Sequence, residues 1–386
     1  MGIETDARPA KTAARTLAPF ADCDVHNAMP GPAALMRYLP QRWHAYHETQ
    51  KGPTHLASSV NTGRGGGRVT GGLYQSRPQR GTFRWDTTPP TGGLPGTDFD
   101  FMKKDYLETW PVREAILAPL DGNSWPQYGE YAAALAGALN DWNNEEWLLR
   151  DKRYYGTIII PTEDGELGAA EIKRSAVHRR FVQVLMPART RDPLGHRKYW
   201  PIYRAAAEAG LPVALHVGGA GNPVTGTGWA SYHFEYHAGY YHSFQAQVIT
   251  LIASGVFDAI PDLKLVMEEG GFLWAASLIW RMDRAWELMG PDATNTKRRP
   301  SELLREHFWF TTQPMDDAES PPLFQKAMKH MDDLGLVDRI MFATDYPHWD
   351  FDSPVEAVPA IITGEWRDKI FGANARALYR FDSPGA

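Results

Sequence analysis

The chain has 386 residues, 43% of them hydrophobic and 22% charged, which is the composition of a globular protein with a large buried core. With 40 basic and 46 acidic side chains, its formal charge of −6 argues against a nucleic-acid-binding protein. No stretch approaches the ~18 consecutive apolar residues of a membrane-spanning helix. The single cysteine, Cys23, excludes an internal disulfide, so we expect a cytoplasmic protein without a membrane partner.

Eight short apolar runs organise the chain from residue 20 onward. Residues 1–17 are polar and Ala-rich, and we expect a disordered leader there, followed by one domain at 18–386. The runs comprise residues 20–26, 113–120, 156–162, 181–187, 211–217, 263–269, 307–313 and 339–345. Helical patterns separate them, which is typical of a parallel sheet covered on both faces, and this predicts an α/β fold, the (β/α)8 TIM barrel. An open doubly wound sheet is the alternative, but the first strand lacks a glycine fingerprint.

The interval 50–112 interrupts this alternation and predicts a long insertion over the barrel mouth after the first strand. It contains TGRGGGRVTGG and PPTGGLPG, together with Arg64, Arg68 and Arg80. Glycine N–H groups and guanidinium groups bind phosphate oxygens, so these three arginines are candidate phosphate contacts. The segment lacks the GK[ST] ending of a P-loop, and a solvated loop is the alternative.

Polar side chains close four of the eight runs. They are Asp24 and His26 in the first, His216 in the fifth, Glu269 in the sixth and Asp345 in the eighth. Chemistry in a barrel is located at the carboxyl ends of the strands, where these side chains would meet. Unpaired carboxylates gathered there would repel one another, and a divalent cation would remove that repulsion. A ligand set of oxygen and imidazole without thiolate suits zinc, manganese or iron.

The loop after the fifth strand offers further ligands in the sequence HFEYHAGYYHSF. His237 lies nearest the predicted start of the next helix and is the preferred additional metal ligand. Packing beneath an aromatic-rich loop is the alternative role for this histidine. Five further residues are candidates for weaker metal ligands or for groups that support the ligands: Glu235, His242, His348, Asn27 and Gln313.

These motifs resemble the barrel family of aminocarboxymuconate-semialdehyde and resorcylate decarboxylases, often called the amidohydrolase-related family. The resemblance covers residues 20–381, and ATDYPHWDFDSP and IFGANARALYRF carry it most specifically. It implies that Asp24, His26, His216 and Asp345 are metal ligands. One position departs from the family, because Glu269 stands where members usually carry a histidine before the paired glycines.

A carboxylate at that position favours a second cation. Together with DVHN, EYH before the sixth strand and FTTQPMDD, it makes the chain resemble nonheme diiron monooxygenases of the same fold, which include a diterpenoid hydroxylase of antibiotic biosynthesis. This resemblance implies two irons per chain and an apolar substrate linked to coenzyme A as a thioester. It also implies O2 and an external electron donor or reductase as partners. Glu269, His237 and Asp345 would then be the catalytic residues.

Two alternatives remain open. The first is a decarboxylase or hydrolase of the parent family with a single zinc or manganese, in which Glu269 or His237 takes the proton. The second is a non-catalytic binding protein on an enzyme scaffold. The oligomeric state is also open, with a homodimer as one possibility.

Overall fold

Eight parallel strands, hydrogen-bonded to one another in chain order from β1 to β8, form the centre of the molecule. The computed structural model describes residues 17–49, 83–120, 128–219, 232–316 and 318–381. The strands are β1 Phe20–Val25, β2 Val112–Leu117, β3 Tyr154–Ile159, β4 Phe181–Pro187, β5 Val213–His216, β6 Leu265–Glu268, β7 Phe308–Thr311 and β8 Ile340–Met341. Each overlaps one of the eight apolar runs, so the predicted barrel is confirmed.

Helices follow the strands and cover the outside of the sheet. Those before β5 are α1 Pro32–Met36, α2 His44–Thr49, α3 Phe99–Met102, α4 Gly129–Asn143, α5 Gly165–Ser175 and α6 Trp200–Ala209. Those after β5 are α7 His233–Gly239, α8 Tyr241–Ala253, α9 Val256–Ala259, α10 Trp274–Leu288, α11 Pro300–His307, α12 Pro321–Asp333, α13 Gly364–Asp368 and α14 Asn374–Leu378. Among the described residues, no helix is long and apolar enough to cross a membrane.

The segment after β8 brings the barrel back to β1. Cys23 N–H donates to Phe342 O at 3.0 Å, and Asp345 N–H donates to Asp24 O at 3.0 Å. The buried Asp22 carboxylate strengthens this seam, because it accepts hydrogen bonds from the Thr344 amide at 3.0 Å and the Thr344 hydroxyl at 2.7 Å. These contacts fix the position of Asp345 relative to Asp24.

Seven of the eight observed strands end before the predicted runs do, and β4 ends at Pro187 as predicted. β6 ends at Glu268, and β8 ends at Met341, four residues before Asp345. Glu269 and Asp345 both have φ of 58°, a left-handed conformation that breaks a strand and is uncommon for residues other than glycine. The chain therefore turns at the two residues that carry site carboxylates.

Part of the predicted insertion lies over the carboxyl ends of the strands. Phe83 forms an isolated antiparallel bridge with His348, in the segment after β8. Residues 1–16 and 50–82 are outside the described residues, and so are the predicted leader before residue 17 and the candidate phosphate contacts Arg64, Arg68 and Arg80.

Candidate metal centre

The carboxyl ends of β1, β5, β6 and β8 bring five buried polar side chains together. The Nε2 atom of His26 lies 3.3 Å from Asp24 Oδ1 and 2.8 Å from Asp345 Oδ1. The Nε2 atom of His216 lies 3.5 Å from Asp24 Oδ2 and 3.3 Å from Glu269 Oε2. The two Nε2 atoms are themselves 3.3 Å apart. The side chains at these four strand ends therefore converge on one small volume.

Both imidazoles are oriented by the backbone. His26 Nδ1 lies 2.7 Å from Ala118 O, and His216 Nδ1 lies 2.7 Å from Val217 O. A carbonyl accepts only from a protonated nitrogen, so each Nδ1 carries the hydrogen, and each Nε2 points a lone pair into the cluster when the ring is neutral. A hydrogen bond from the far ring nitrogen to a backbone oxygen is the usual support of a metal-binding histidine.

Several carboxylate oxygens in the cluster have no hydrogen bond to satisfy them. Within the described part of the chain, both oxygens of Asp24, Oδ2 of Asp345 and Oε2 of Glu269 are buried and accept none. Buried charge without hydrogen bonds is costly unless a cation compensates it. The donor set of imidazoles and carboxylates without thiolate suits manganese or zinc, so these residues fit a bound divalent ion.

The electrostatics of the cluster indicate the same deficit of positive charge. Burial alone would lower the pKa of His26, but the negative charges of Asp24 and Asp345 outweigh it and raise the pKa to about 9. Burial would likewise lower the pKa of His216, but the Asp24 carboxylate outweighs it and, with a smaller effect of Glu269, raises the pKa to about 9. The negative field that holds protons on these rings is also what attracts a divalent cation.

The two acidic residues beside the imidazoles differ in their protonation. Burial raises the pKa of Glu269 well above its ordinary value, and the negative charge of Asp345 adds to this effect. Burial would also raise the pKa of Asp345, but His348 and His26 hold it below its usual range. Asp345 is therefore the ionised member of the pair, and Glu269 is the one that environment favours as a neutral acid.

His348, predicted to have a secondary role, supports Asp345 directly. Its Nδ1 atom lies 2.6 Å from Asp345 Oδ1. The Phe83 ring stacks on the His348 ring, with centroids 5.6 Å apart and planes inclined by 9°. The described end of the predicted insertion thus fixes a residue that orients a site carboxylate.

A second group of polar side chains lies beside Glu269 and Asp345. One oxygen each of Glu269, Asp345 and Asp350 lies within 4.8 Å of the others. Asp350 also lies 2.8 Å from His237 Nε2, and Gln313 Nε2 donates to it at 3.1 Å. The structure therefore brings His237 and Gln313 together on Asp350, while the role of His237 as a metal ligand stays a prediction.

The remaining predicted residues lie apart from this arrangement. Glu235 and His242 are exposed on α7 and α8. Asn27 is buried, and its Nδ2 donates to Asn143 Oδ1 at 2.9 Å. Its position directly after His26 places it near the cluster, but its hydrogen bond holds a helix against β1.

Three residues near the cluster were not assigned a role at the site from the sequence. Asp350 follows Asp345 by five residues in the segment YPHWD, and a polar residue in a loop after a functional strand end is the signal that would have indicated it. Glu268 is fully buried beneath the cluster and accepts from Gln183 Nε2 at 2.7 Å. Tyr240 is buried near Glu269, and no pattern in the sequence distinguishes it from the neighbouring aromatic residues.

Comparison with protein families decides the wider assignment. A family model described as amidohydrolase matches residues 21–381. The chain belongs to this amidohydrolase family. Among curated relatives, the gamma-resorcylate decarboxylase of Rhodococcus jostii (strain RHA1) is 26% identical over 325 residues, covering 75% of this chain and 93% of that protein.

Solved structures of the amidohydrolase fold match nearly the whole chain. A dihydroxybenzoic acid decarboxylase from Polaromonas sp. JS666, with bound manganese and the inhibitor 2-nitroresorcinol, superposes with a TM-score of 0.62 at 19% identity, covering 94% of this chain and 97% of that one. A manganese complex of 5-carboxyvanillate decarboxylase from Novosphingobium aromaticivorans gives a TM-score of 0.61 at 18% identity, covering 93% and 96%. These likenesses confirm the fold.

The predicted diiron hydroxylase is wrong, because curated relatives of this amidohydrolase family member are named as gamma-resorcylate decarboxylases and none of those reported is an oxygenase. Four further predictions depended on that interpretation and are wrong with it: a role in antibiotic biosynthesis, O2 and a reductase as partners, and a coenzyme A thioester as substrate. The physical error concerned Glu269, which was assumed to add a negative charge that calls for a second cation. Burial raises the pKa of Glu269, which favours its neutral form and weakens the argument for a second cation. The prediction of metal binding is retained, but nothing in the comparisons supports two irons.

Proposed function

We propose that the chain is a metal-dependent, non-oxidative decarboxylase of a hydroxylated aromatic acid, with residues 18–386 forming one metal-dependent domain. The observation that carries this proposal is the buried convergence of His26 and His216 on Asp24 oxygens that accept no hydrogen bond. The decarboxylase names of the curated relatives support the reaction type. The parent-family alternative from the sequence is therefore preferred to hydroxylation.

One divalent ion would be held by Asp24, His26, His216 and Asp345, whose ligand atoms approach one another in two overlapping groups. The ligand types fit manganese or zinc, and the manganese in two structural neighbours makes that metal the first to test. When bound, the ion supplies positive charge for the oxygens of the substrate and for the negative charge that develops on the ring.

The reaction needs a proton at the ring carbon. The bond between that carbon and the carboxylate breaks, its electron pair stays on the ring carbon, a proton joins that carbon and CO2 leaves. No electron acceptor takes part, so O2 and a reductase have no role. The chain must therefore place an acid next to the bound substrate.

Glu269 is the residue that we assign as this acid. Its Oε2 atom lies 3.3 Å from His216 Nε2, at the edge of the cluster, and accepts no hydrogen bond from the described residues. The left-handed backbone at Glu269 turns its side chain out of the β6 ladder toward the cluster. Asp350 lies beside the same carboxylate, and His237 contacts Asp350 through Nε2.

Turnover by metal-loaded protein tests this proposal. The protein, stripped with a chelator and reloaded with manganese or zinc, is incubated with a panel of mono- and dihydroxybenzoates under nitrogen, and CO2 is measured. We expect CO2 release from at least one hydroxylated acid, dependent on the metal and unchanged by removal of O2. Metal-dependent hydrolysis of esters or amides without any CO2 release would instead identify a hydrolase and overturn the proposal.

A further inference from the structure

Tyr240 lies at the junction of α7 and α8, with its side chain 3% exposed. Its amide donates to Tyr236 O at 3.0 Å, and its ring meets the His237 ring edge-on, with centroids 5.3 Å apart. Both contacts fix the direction of the side chain. Tyr240 is therefore held in place without using its hydroxyl group.

The Tyr240 hydroxyl has no hydrogen-bond partner among the described residues. Buried hydroxyl groups are normally paired, because burying an unpaired one costs free energy. Burial raises the pKa of this phenol well above its ordinary value, and the neighbouring acidic groups of Glu269, Asp350 and Asp345 add to the effect. The Tyr240 hydroxyl therefore keeps its proton and can donate a hydrogen bond, but it donates none to these acidic groups.

The neighbouring turn of α8 lies directly against the Glu269 loop. Phe244, one helical turn after Tyr240, shares a face of the helix with it. A Cβ atom on Gly270 would come within 2.9 Å of the Phe244 ring, so the loop after Glu269 packs on this helix face as closely as glycine allows. The same face thus places Tyr240 beside the site.

We infer that Tyr240 is a substrate-binding residue whose hydroxyl donates a hydrogen bond to a neutral ring hydroxyl of the aromatic acid. This inference rests on the proposed function and specifies its substrate class. A phenolic hydroxyl accepts from Tyr240 and donates to Glu269 or Asp350, whereas a second carboxylate would meet three acidic side chains. The preferred substrate therefore carries an uncharged hydroxyl on the side of the ring that faces α8.

Equilibrium binding of two unreactive analogues tests the contact without turnover. We compare 2-nitroresorcinol with 2-nitrophenol, which lacks one hydroxyl, by isothermal titration calorimetry on manganese-loaded protein. The wild type should prefer 2-nitroresorcinol, and Tyr240→Phe should reduce that preference about tenfold, the effect of one hydrogen bond. A purely structural role of Tyr240 would weaken the binding of both analogues equally, so a changed preference indicates a contact between the two hydroxyl groups.

Tyr154→Phe is the matched control. Tyr154 is also fully buried with an unpartnered hydroxyl, but it begins β3, at the opposite end of the barrel from the cluster. The Tyr154→Phe variant should leave the preference for 2-nitroresorcinol over 2-nitrophenol unchanged. If Tyr240→Phe also leaves it unchanged, the inference on Tyr240 is overturned and the decarboxylase proposal stands. If the wild type binds neither analogue, the aromatic substrate class fails and both proposals fall.

Discussion

Two buried glutamates of this barrel have opposite surroundings. Glu171, on α5, accepts hydrogen bonds from Asn140 Nδ2 at 2.7 Å, Ser175 Oγ at 2.8 Å and Arg174 Nε at 2.9 Å. Glu269, at the barrel mouth, has an Oε2 atom that accepts no hydrogen bond from the described residues. Burial is similar for the two, at 7% and 8% exposed, so burial alone does not separate a structural carboxylate from a functional one.

The difference lies in what compensates each carboxylate. The Arg174 guanidinium balances the charge of Glu171, and two neutral donors complete its hydrogen bonds. This carboxylate is therefore satisfied within the protein. At the barrel mouth, by contrast, buried oxygens of Asp24, Asp345 and Glu269 accept no hydrogen bond from the described residues. They can be satisfied by a cation, a proton or a substrate group. Unsatisfied buried carboxylates are thus the signature of the site, and satisfied ones belong to the scaffold.

Asp24→Asn should produce the largest change on the functional side of this comparison. Both Asp24 oxygens lie at the centre of the cluster, so we expect activity and manganese affinity to fall by more than ~100-fold, the upper value for residues that only support a ligand. A variant that binds manganese normally would exclude Asp24 as a ligand.

Glu269→Gln separates a proton donor from a metal ligand. Loss of the acid should lower kcat by about 100-fold or more, the range of general acid catalysis, with manganese affinity changed only slightly. Calorimetric titration of manganese and steady-state kinetics on the same preparation give both values. A large loss of manganese affinity would show that Glu269 binds the metal, as the sequence reasoning predicted.

Glu171→Ala should damage the scaffold and spare the chemistry. Removing this carboxylate leaves buried donors and a partly buried Arg174 without their partner, so we expect the free energy of unfolding to fall by about 3 kcal/mol. Urea unfolding measures the loss, and kcat at a temperature well below the transition should match that of the wild type. A selective loss of manganese affinity would contradict the distinction drawn between the two glutamates.

Manganese binding should weaken as the pH falls. The pKa values of His26 and His216 are about 9, so at neutral pH these rings hold protons that metal binding must displace. Each proton released per ion lowers the affinity about tenfold for each pH unit below 9, so release from both rings should lower it about 100-fold per unit. Titrations between pH 6 and 9, in buffers of different ionisation enthalpy, measure the release. An affinity independent of pH would remove the two imidazoles from the ligand set.

His348→Gln should have the smallest effect on the site. The imidazole orients Asp345 without being a predicted ligand, and residues of this kind contribute about tenfold to metal affinity. His307→Gln is the control, because His307 is also buried and its Nδ1 lies 2.8 Å from Leu263 O, away from the mouth. The control should alter stability and leave manganese affinity intact. Equal effects on manganese affinity would show that His348 has no particular role.

The sequence contained enough information for the strands and for the residues that end them. Apolar runs separated by helical patterns predicted all eight strands, and the polar ends of four runs predicted which side chains meet. These features are local, because strand alternation and chain order place residues without knowledge of the loops.

What escaped prediction depends on contacts between distant segments. Asp350 enters the site because the loops after β5, β7 and β8 converge on it, and Tyr240 enters because α8 packs on the Glu269 loop. The protonation of Glu269 depends on how deeply the folded chain buries its carboxyl group, and this cannot be read from the sequence. The diiron interpretation assumed a charged carboxylate at this position, whereas burial favours the neutral acid.

A manganese-edge anomalous difference map from crystals of the manganese-loaded protein tests the central claim most directly. The account predicts one strong peak per chain, in contact with Asp24, His26, His216 and Asp345, and none on the Glu171 network. A peak outside the cluster, or two peaks of equal height within it, would contradict the proposed single-metal site.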